Sequence, residues 1–356
     1  MQTALAVPGV AIALALLGPV PPTAADIAQR HVVAIGGYAK VRALTSISYT
    51  GVYRESGFTL VASQTFMRPY YEVVDPHLQP TIKEGYDGRP WEYYAEFGVV
   101  LRTAGSPGMA TTHASEFGDS LVDYEAKGTH IALVGCNSIL SRQAFDVLVT
   151  LEDGFAKHVF VDEQTYLIVG SRQTAKVHAF GARVTSQSLI GGYRRVAGVL
   201  LPMAFREVDL ATGKELNRLT WTKIVANRTL PVSMFSPPRF VRTPLSALLE
   251  DLYAHRSDAS RDVEDFGTFR RRFAAVNTEA GIEFIAYQIL KTGISASAIA
   301  LLLVNAHDYP RSADAQFGLG RAYRVAGRER LAAAAFRSAL RLRPNDARAL
   351  QALKQF

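Results

Sequence analysis

FDVLVTLEDGFAKHVFV, from Phe145 to Val161, is the stretch that decides the fold. Phe145, Val147, Val149 and Leu151 fall on one side of an extended chain, around Asp146 and Thr150. That period of two is the mark of a half-buried strand. Glu152-Asp153-Gly154 supplies a turn and Lys157 to Val161 returns, so the segment reads as an antiparallel hairpin. The same pattern runs outward in both directions. Phe58-Thr-Leu-Val-Ala-Ser-Gln-Thr-Phe66 sets Phe58, Leu60, Ala62 and Phe66 on one side. From Ile47 to about Ala226, runs of Val, Thr, Tyr and Phe are broken by Gly, Pro, Asp and Asn, which predicts about eleven or twelve strands. Only Ser106 to Ser120 interrupts them, as a long excursion with a short helix. Ahead of the strands, Asp26 to Ile35 reads as a helix with Asp26 as its N-cap and Ile27, His31 or Val32, and Ile35 on one side. Gly36-Gly37 ends it.

The pattern changes after Pro231, Pro237, Pro238 and Pro244, a density of proline that stops a sheet. Leu245, Leu248, Leu249 and Leu252 then recur at helical spacing. Pairs of like residues stand 34 apart: Pro310 and Pro344, Gly293 and Gly327, Ala298 and Ala332, Leu302 and Phe336. In the second copy Leu319, Gly320, Tyr323, Gly327, Ala332, Phe336, Ala339 and Pro344 occupy the signature positions of a tetratricopeptide repeat. Gly320 and Ala332 allow two helices to approach closely, and Tyr323 and Phe336 fill the space between them. The first copy is degenerate, with Ala286 at the packing glycine and Asn305 at the last alanine. Asp346 to Phe356 reads as a capping helix.

Composition bounds the function. With 48% hydrophobic and 20% charged residues, the 356-residue chain has a real core and is not a disordered polymer. One cysteine excludes a disulfide scaffold and any multi-cysteine metal site. The net charge of +7 resides in the tail, where Arg311 to Phe356 carries 10 basic and 3 acidic residues. A basic tail without a recognition motif gives no reason to expect nucleic acid. The first 25 residues, with the apolar run Ala11 to Leu17 and the small residues Thr23, Ala24 and Ala25, read as a signal peptide cut near Ala25, although no Lys or Arg precedes the run. No other segment has the length of apolar sequence that a transmembrane helix needs.

Catalytic patterns are missing. The sequence contains no HExxH, GxSxG, SxxK or phosphate-binding loop. Its eight histidines are scattered, with no i, i+4 pair. Only His130 and His158 could be joined by sheet pairing. No cofactor or metal is expected, and the chain reads as non-enzymatic.

Several strings occur in an order that resembles the periplasmic outer-membrane-lipoprotein-sorting proteins of the LolA-like superfamily. They are Ala34-Ile-Gly-Gly37, Val41-Arg-Ala-Leu44, Gly51, Met67-Arg-Pro69, Tyr86-Asp-Gly-Arg-Pro-Trp91, Leu121 to Gly128, Leu133-Val-Gly135, Phe160-Val-Asp162, Tyr193 to Pro202, Asn227 and Phe235-Ser-Pro-Pro238. The resemblance covers about Asp26 to Arg239. It implies a curved antiparallel incomplete β-barrel with covering helices; together with the all-α repeat domain read above, the architecture is α+β in several domains. The expected boundaries are a signal peptide at 1–25, the β domain at 26–239, linker and helices at 240–278, and repeats with a capping helix at 279–356. It further implies a periplasmic or otherwise exported protein whose concave face binds acyl chains of a lipid or lipidated protein. The larger apolar members of the alternating strands become candidates for the lining: Phe58, Leu60, Phe66, Trp91, Phe145, Val147 and Val149. The helix Asp26–Ile35 and the excursion are candidate lids. In the tail, Arg321, Arg324, Arg328, Arg337, Arg341 and Arg343 are candidates for docking an acidic segment of an envelope protein. The alternative is an interaction scaffold with a closed, ligand-free β domain. Export predicts that N-terminal sequencing of the mature protein will start near Asp26; a mature chain starting at Met1 would refute it.

Overall fold

A computed structural model describes residues 21–176, 183–354 and 356. The expected signal segment therefore lies almost wholly outside the described residues. Two runs of strands make up one sheet. The first is β1 (Ser46–Glu55), β2 (Phe58–Met67), β3 (Tyr71–Asp75), β4 (Ile82–Tyr86), β5 (Pro90–Tyr94) and β6 (Val99–Leu101). The second is β7 (His130–Ile139), β8 (Arg142–Thr150), β9 (Ala156–Asp162), β10 (Ile168–Lys176) and β11 (Arg183–Gly191). After a separate two-stranded ribbon, β12 (Arg194–Val196) and β13 (Val199–Leu201), the second run ends with β14 (Ala204–Asp209) and β15 (Glu215–Ala226). The main sheet has 13 strands in the order β6-β5-β4-β3-β2-β1-β15-β14-β11-β10-β9-β8-β7. Neighbours are antiparallel throughout, and the sheet does not close, leaving β6 and β7 as its edges. The hairpin Phe145–Val161 is β8 with β9, Val147 opposite Val159.

The two runs meet at β1 and β15, where Ile47 lies opposite Ala226 and Glu55 opposite Asn217. A bulge between Thr50 and Gly51 interrupts this register. Gly51 leaves room there for the backbone of β15 and for Trp221: a Cβ on it would collide with the Thr220 carbonyl oxygen and stand 2.8 Å from the indole ring. Glycine is required there by close approach.

Helix α1 (Ala24–Ile35) lies against the concave face. It starts earlier than the sequence pattern predicts. Thr23, not Asp26, is the N-cap: its hydroxyl accepts from the Asp26 N–H, while the Asp26 carboxylate accepts from the Thr23 N–H. Asp26 is thus the third residue of a capping box. Gly36 and Gly37, with φ of 138° and 89°, end the helix, and α2 (Tyr38–Arg42) follows. Ile27 and Ala28 pack on Phe145, Val147, Val149, Val159 and Val161. Farther along α1, Val32 and Ile35 join Val41, Leu44, Ile47, Phe117 and Val199. The passage from β6 to β7 carries the chain from one edge of the sheet to the other. It contains α3 (Gly105–Ala114) and lies where the sequence shows its single long excursion.

The C-terminal helices are α4 (Pro244–Ala254), α5 (Ala259–Arg272), α6 (Glu279–Lys291), α7 (Ala296–Asp308), α8 (Ala313–Val325), α9 (Glu329–Leu342) and α10 (Ala347–Leu353). Helices α6 and α8 begin 34 residues apart, at Glu279 and Ala313, the period of the sequence repeat. The tail does not hang from a linker. Within 240–278, Ser246 on α4 donates to the Phe97 carbonyl at 3.0 Å, and the Glu250 carboxylate accepts from the Val100 N–H at 2.8 Å. Val99 and Leu101 share one apolar core with Leu249, Leu252, Ile285 and Ile289. Phe284 stacks on Phe97 at 4.4 Å. Helix α4 therefore covers edge strand β6, whose exposed backbone would otherwise invite pairing.

Between α8 and α9, a Cβ on Gly320 would lie 2.7 Å from the buried Phe336 ring. The ring must move to admit it. Gly320→Ala is expected to lose about 1–3 kcal/mol of stability through overpacking. Urea denaturation followed by circular dichroism measures the loss; an unchanged midpoint would refute the close approach.

Candidate functional site

Period-two alternation sends side chains from six neighbouring strands to a common place. Phe66 of β2, Tyr49 of β1, Trp221 of β15, Phe205 of β14, Ile190 of β11 and Ile168 of β10 line a cavity of about 260 Å³. Ile35 of α1 and Phe117 and Val122 of the edge-to-edge passage cover it, and Val199 to Leu201 of β13 add a wall. Tyr49 packs edge-on to Phe66 at 6.0 Å and lies 5.1 Å from the Trp221 ring, so aromatic contacts fix the floor.

The cover is held by polar bonds. His31 on α1 is buried at 1% exposure, with Nδ1 2.7 Å from the Tyr166 carbonyl and Nε2 3.0 Å from Asp119 of the passage. Both nitrogens face acceptors, so only the imidazolium, a donor at both positions, satisfies the pair. Burial opposes that charge, but Asp119 and the Tyr166 carbonyl raise the His31 pKa above its ordinary value. Burial would likewise raise the Asp119 carboxyl; the charge and hydrogen bond of His31, with help from Lys127, bring it down to about 2. Lys127 also bonds Glu116 at 2.7 Å and the Asp119 carbonyl at 3.0 Å. At the end of α3, His113 meets Asp153 of the β8–β9 turn at 2.7 Å. Arg68 donates to the Leu44 and Val41 carbonyls at 2.8 and 3.1 Å and lies over the Phe117 ring.

A second concavity adjoins the first, an open groove of about 860 Å³ that shares Gln64, Ala114 and Trp221 with it. The expected lining residues divide among four places. Phe66 lines the cavity, while Phe58 and Leu60 line the groove, Phe58 at 48% exposure. Phe145, Val147 and Val149 lie on the concave side but are sealed beneath α1, where they form core with Ile27. Trp91 is on the opposite face. In β5 the concave positions belong to Glu92 and Tyr94, and the Trp91 indole donates instead to the Phe235 carbonyl at 2.8 Å in a buried contact.

The tail arginines also separate. Arg321 lies over Tyr287 at 4.6 Å and Arg324 over Phe336 at 5.9 Å. Arg343 pairs with Asp314 at 2.8 Å, and Arg341 bonds Ser338. Arg328, Arg337 and Arg341 are exposed. His130 and His158 are not brought together: His130 pairs with Thr150, whereas His158 holds Asp146 at 2.7 Å. Among the described residues, no three His, Cys, Asp or Glu side chains are grouped to hold a metal ion.

The sequence reading missed Tyr49, Ile190, Trp221 and Asp119. Leu219 and Trp221 alternate in β15 and were open to the same period-two argument. The spacing of Ile27, His31 and Ile35 places a histidine on an apolar helix face, a signal for a buried partner. Asp119 has no local signal, because its partner is 88 residues away.

No protein-family model and no curated protein sequence matches this chain. Among the solved structures that show likeness are the following three. A DUF1329 family protein from Desulfovibrio piger is 13% identical, with a TM-score of 0.43, over 60% of this chain and 95% of that one. A LolA superfamily protein from Nitrosomonas europaea is 13% identical, with a TM-score of 0.44, over 61% and 99%. An outer-membrane lipoprotein-sorting type domain from Vibrio parahaemolyticus is 12% identical, with a TM-score of 0.39, over 60% and 95%. No helix among the described residues is long and apolar enough to cross a membrane.

The His31–Asp119 bond makes the cover pH-dependent. A raised histidine pKa gives stability that is complete below about 6.5 and disappears as pH rises through the folded value. The lowered Asp119 pKa gives stability that is complete above about 4 and is lost as pH falls towards its folded value. The melting temperature should therefore fall as pH rises above about 6.5, and Asp119→Asn should flatten that slope. Melts from pH 5 to 9 check it; identical slopes would remove the imidazolium from the cover.

Proposed function

We propose that this protein binds, without catalysing a reaction, one acyl chain of a lipid or lipidated protein in the cavity between the concave sheet and its cover. The observation that supports this most is the convergence of apolar side chains from six adjacent strands on one covered cavity. An aliphatic chain satisfies such walls without hydrogen bonds, and each buried methylene contributes about 0.8 kcal/mol. Ten methylenes would bring about 8 kcal/mol before the cost of ordering the chain. The His31–Asp119 bond joins α1 and the edge-to-edge passage, the two elements that cover this cavity. The order of sequence strings that resembles lipoprotein-sorting proteins favours the same reading, with the protein acting in the periplasm behind a cleaved signal segment. The tail, read as tetratricopeptide-type repeats, would offer the exposed Arg328, Arg337 and Arg341 to an acidic segment of an envelope partner.

Organic extraction of the purified protein followed by mass spectrometry should release acyl chains. Phe66→Asp puts a carboxylate on the floor, where an unpaired charge is costly against an acyl chain. It is expected to reduce binding of a fluorescent fatty acid at least tenfold while the far-ultraviolet circular dichroism persists. A chain-free extract, no fatty-acid binding and unfolding of Phe66→Asp would instead identify a closed scaffold.

A further inference from the structure

The groove beside the cavity has an apolar wall and an acidic floor. Phe58, Leu60 and Leu219 form the wall; Glu72, Glu84 and Glu92 lie on β3, β4 and β5. Their placement follows from register. Glu84 stands directly opposite Glu92, and Glu72, whose own partner is Tyr86, is the diagonal neighbour of Glu84. Like charges directly opposite on a sheet destabilise it. Three in succession on a concave apolar face call for a counter-charge.

The protein supplies part of one. Lys291 from α6 reaches Glu92 at 3.4 Å, and the Tyr94 hydroxyl donates to the same carboxylate. Glu72 is treated differently. It is 1% exposed; Oε1 accepts from the Gln64 amide at 2.6 Å, while Oε2 is buried with no hydrogen-bond partner. A buried carboxylate oxygen without a donor carries the full cost of desolvation. Glu72 is also among the residues that line the groove, so a donor lying there would sit beside the side chain whose buried oxygen the fold leaves unmatched.

We infer that this groove takes the ammonium end of a cationic amphiphile whose hydrocarbon chain lies in the adjoining cavity. The inference rests on the acyl-chain reading and adds the polar end of the ligand. An ammonium brings three donors and one positive charge, which suits the partnerless oxygen of Glu72 and the neighbouring Glu84. A divalent metal needs several oxygens converging at about 2.0–2.6 Å, and the described residues contain no such grouping. A carboxylate or phosphate headgroup would add negative charge to negative charge. Gln64, which bonds Glu72 and lines both concavities, marks where the chain would pass from cavity to groove.

Proton linkage gives a second readout. Burial, despite the Gln64 bond and with the charge of Glu84, pushes Glu72 up to about 8. Burial and the charge of Glu92, against that of Lys291, push Glu84 up to about 7. An ammonium must therefore displace protons at pH 6 that are fewer at pH 8. Other polar groups on the surrounding elements include Tyr53 and Glu55 of β1, Thr59 and Gln64 of β2, Glu92 and Tyr94 of β5, Thr111 of α3, and Gln288 and Lys291 of α6.

Calorimetric titration of the full chain at pH 8 with dodecylamine, dodecanol and dodecanoate is the test. Dodecylamine is expected to bind at least tenfold more tightly than dodecanol, with dodecanoate weakest, and its advantage over dodecanol should shrink at pH 6. Glu84→Gln alone and Glu72→Gln with Glu84→Gln, each checked for folding by circular dichroism, should bring the amine towards the alcohol. Equal affinities in the wild-type protein, or a preference that survives in a folded double variant, would overturn the cationic end and leave acyl binding standing. Failure of all three probes to bind would overturn both.

Discussion

An open sheet that curves around an apolar hollow needs a cover, and here the strand connection itself supplies it. To travel from β6 to β7 the chain must go from one edge to the other, and the direct way lies over the concave face. Phe117 and Val122 come down onto the cavity from that passage, while α1 closes the remaining side. Water is kept from the apolar floor by topology as much as by side-chain choice. The cost is that polar backbone and side chains of the passage are brought onto greasy surface, where each needs a partner. His31, Lys127 and Asp153 provide partners along the rim.

The same economy explains the position of the tail. Edge strand β6 is only three residues long, too short to hold an edge by hydrogen bonding alone. Its side chains Val99 and Leu101 instead enter the core of the helices, and α4 lies over the strand. The helical segment is part of the scaffold of the sheet. That close union also brings Lys291 from α6 to the carboxylates on the sheet.

Much of this was legible from residue order. The hairpin around Gly154, the helix before the sheet, the excursion between the two runs and the 34-residue repeat are local patterns with local causes. The close packing foreseen at Gly320 follows from one missing side chain facing one ring. What could not be read locally was sidedness. Trp91 is large, apolar and in a strand, yet the parity of β5 turns it away from the hollow and gives Glu92 the inner position. Val147 and Val149 are on the inner side but under a helix, because α1 covers that part of the sheet. Which inward residues remain accessible depends on where a distant segment lands, and periodicity carries no information about that. The His31–Asp119 bond belongs to the same class.

The seam between β1 and β15 joins Ile47 to Ala226. Most other neighbours in the sheet are consecutive in the chain, so each half is assembled from contacts close in sequence. The middle of the sheet is its least local contact. A long loop must be closed before that pairing returns any energy, and non-local pairing slows folding. Until β15 is made and docks, β1 has no partner on that side, and the first run of strands ends in an open edge. During that interval β1 and β15 are edges, open to strands of other molecules. An unpaired edge of this kind is a template for strands of other molecules, so closing the seam also removes the longest exposed edge of the first half.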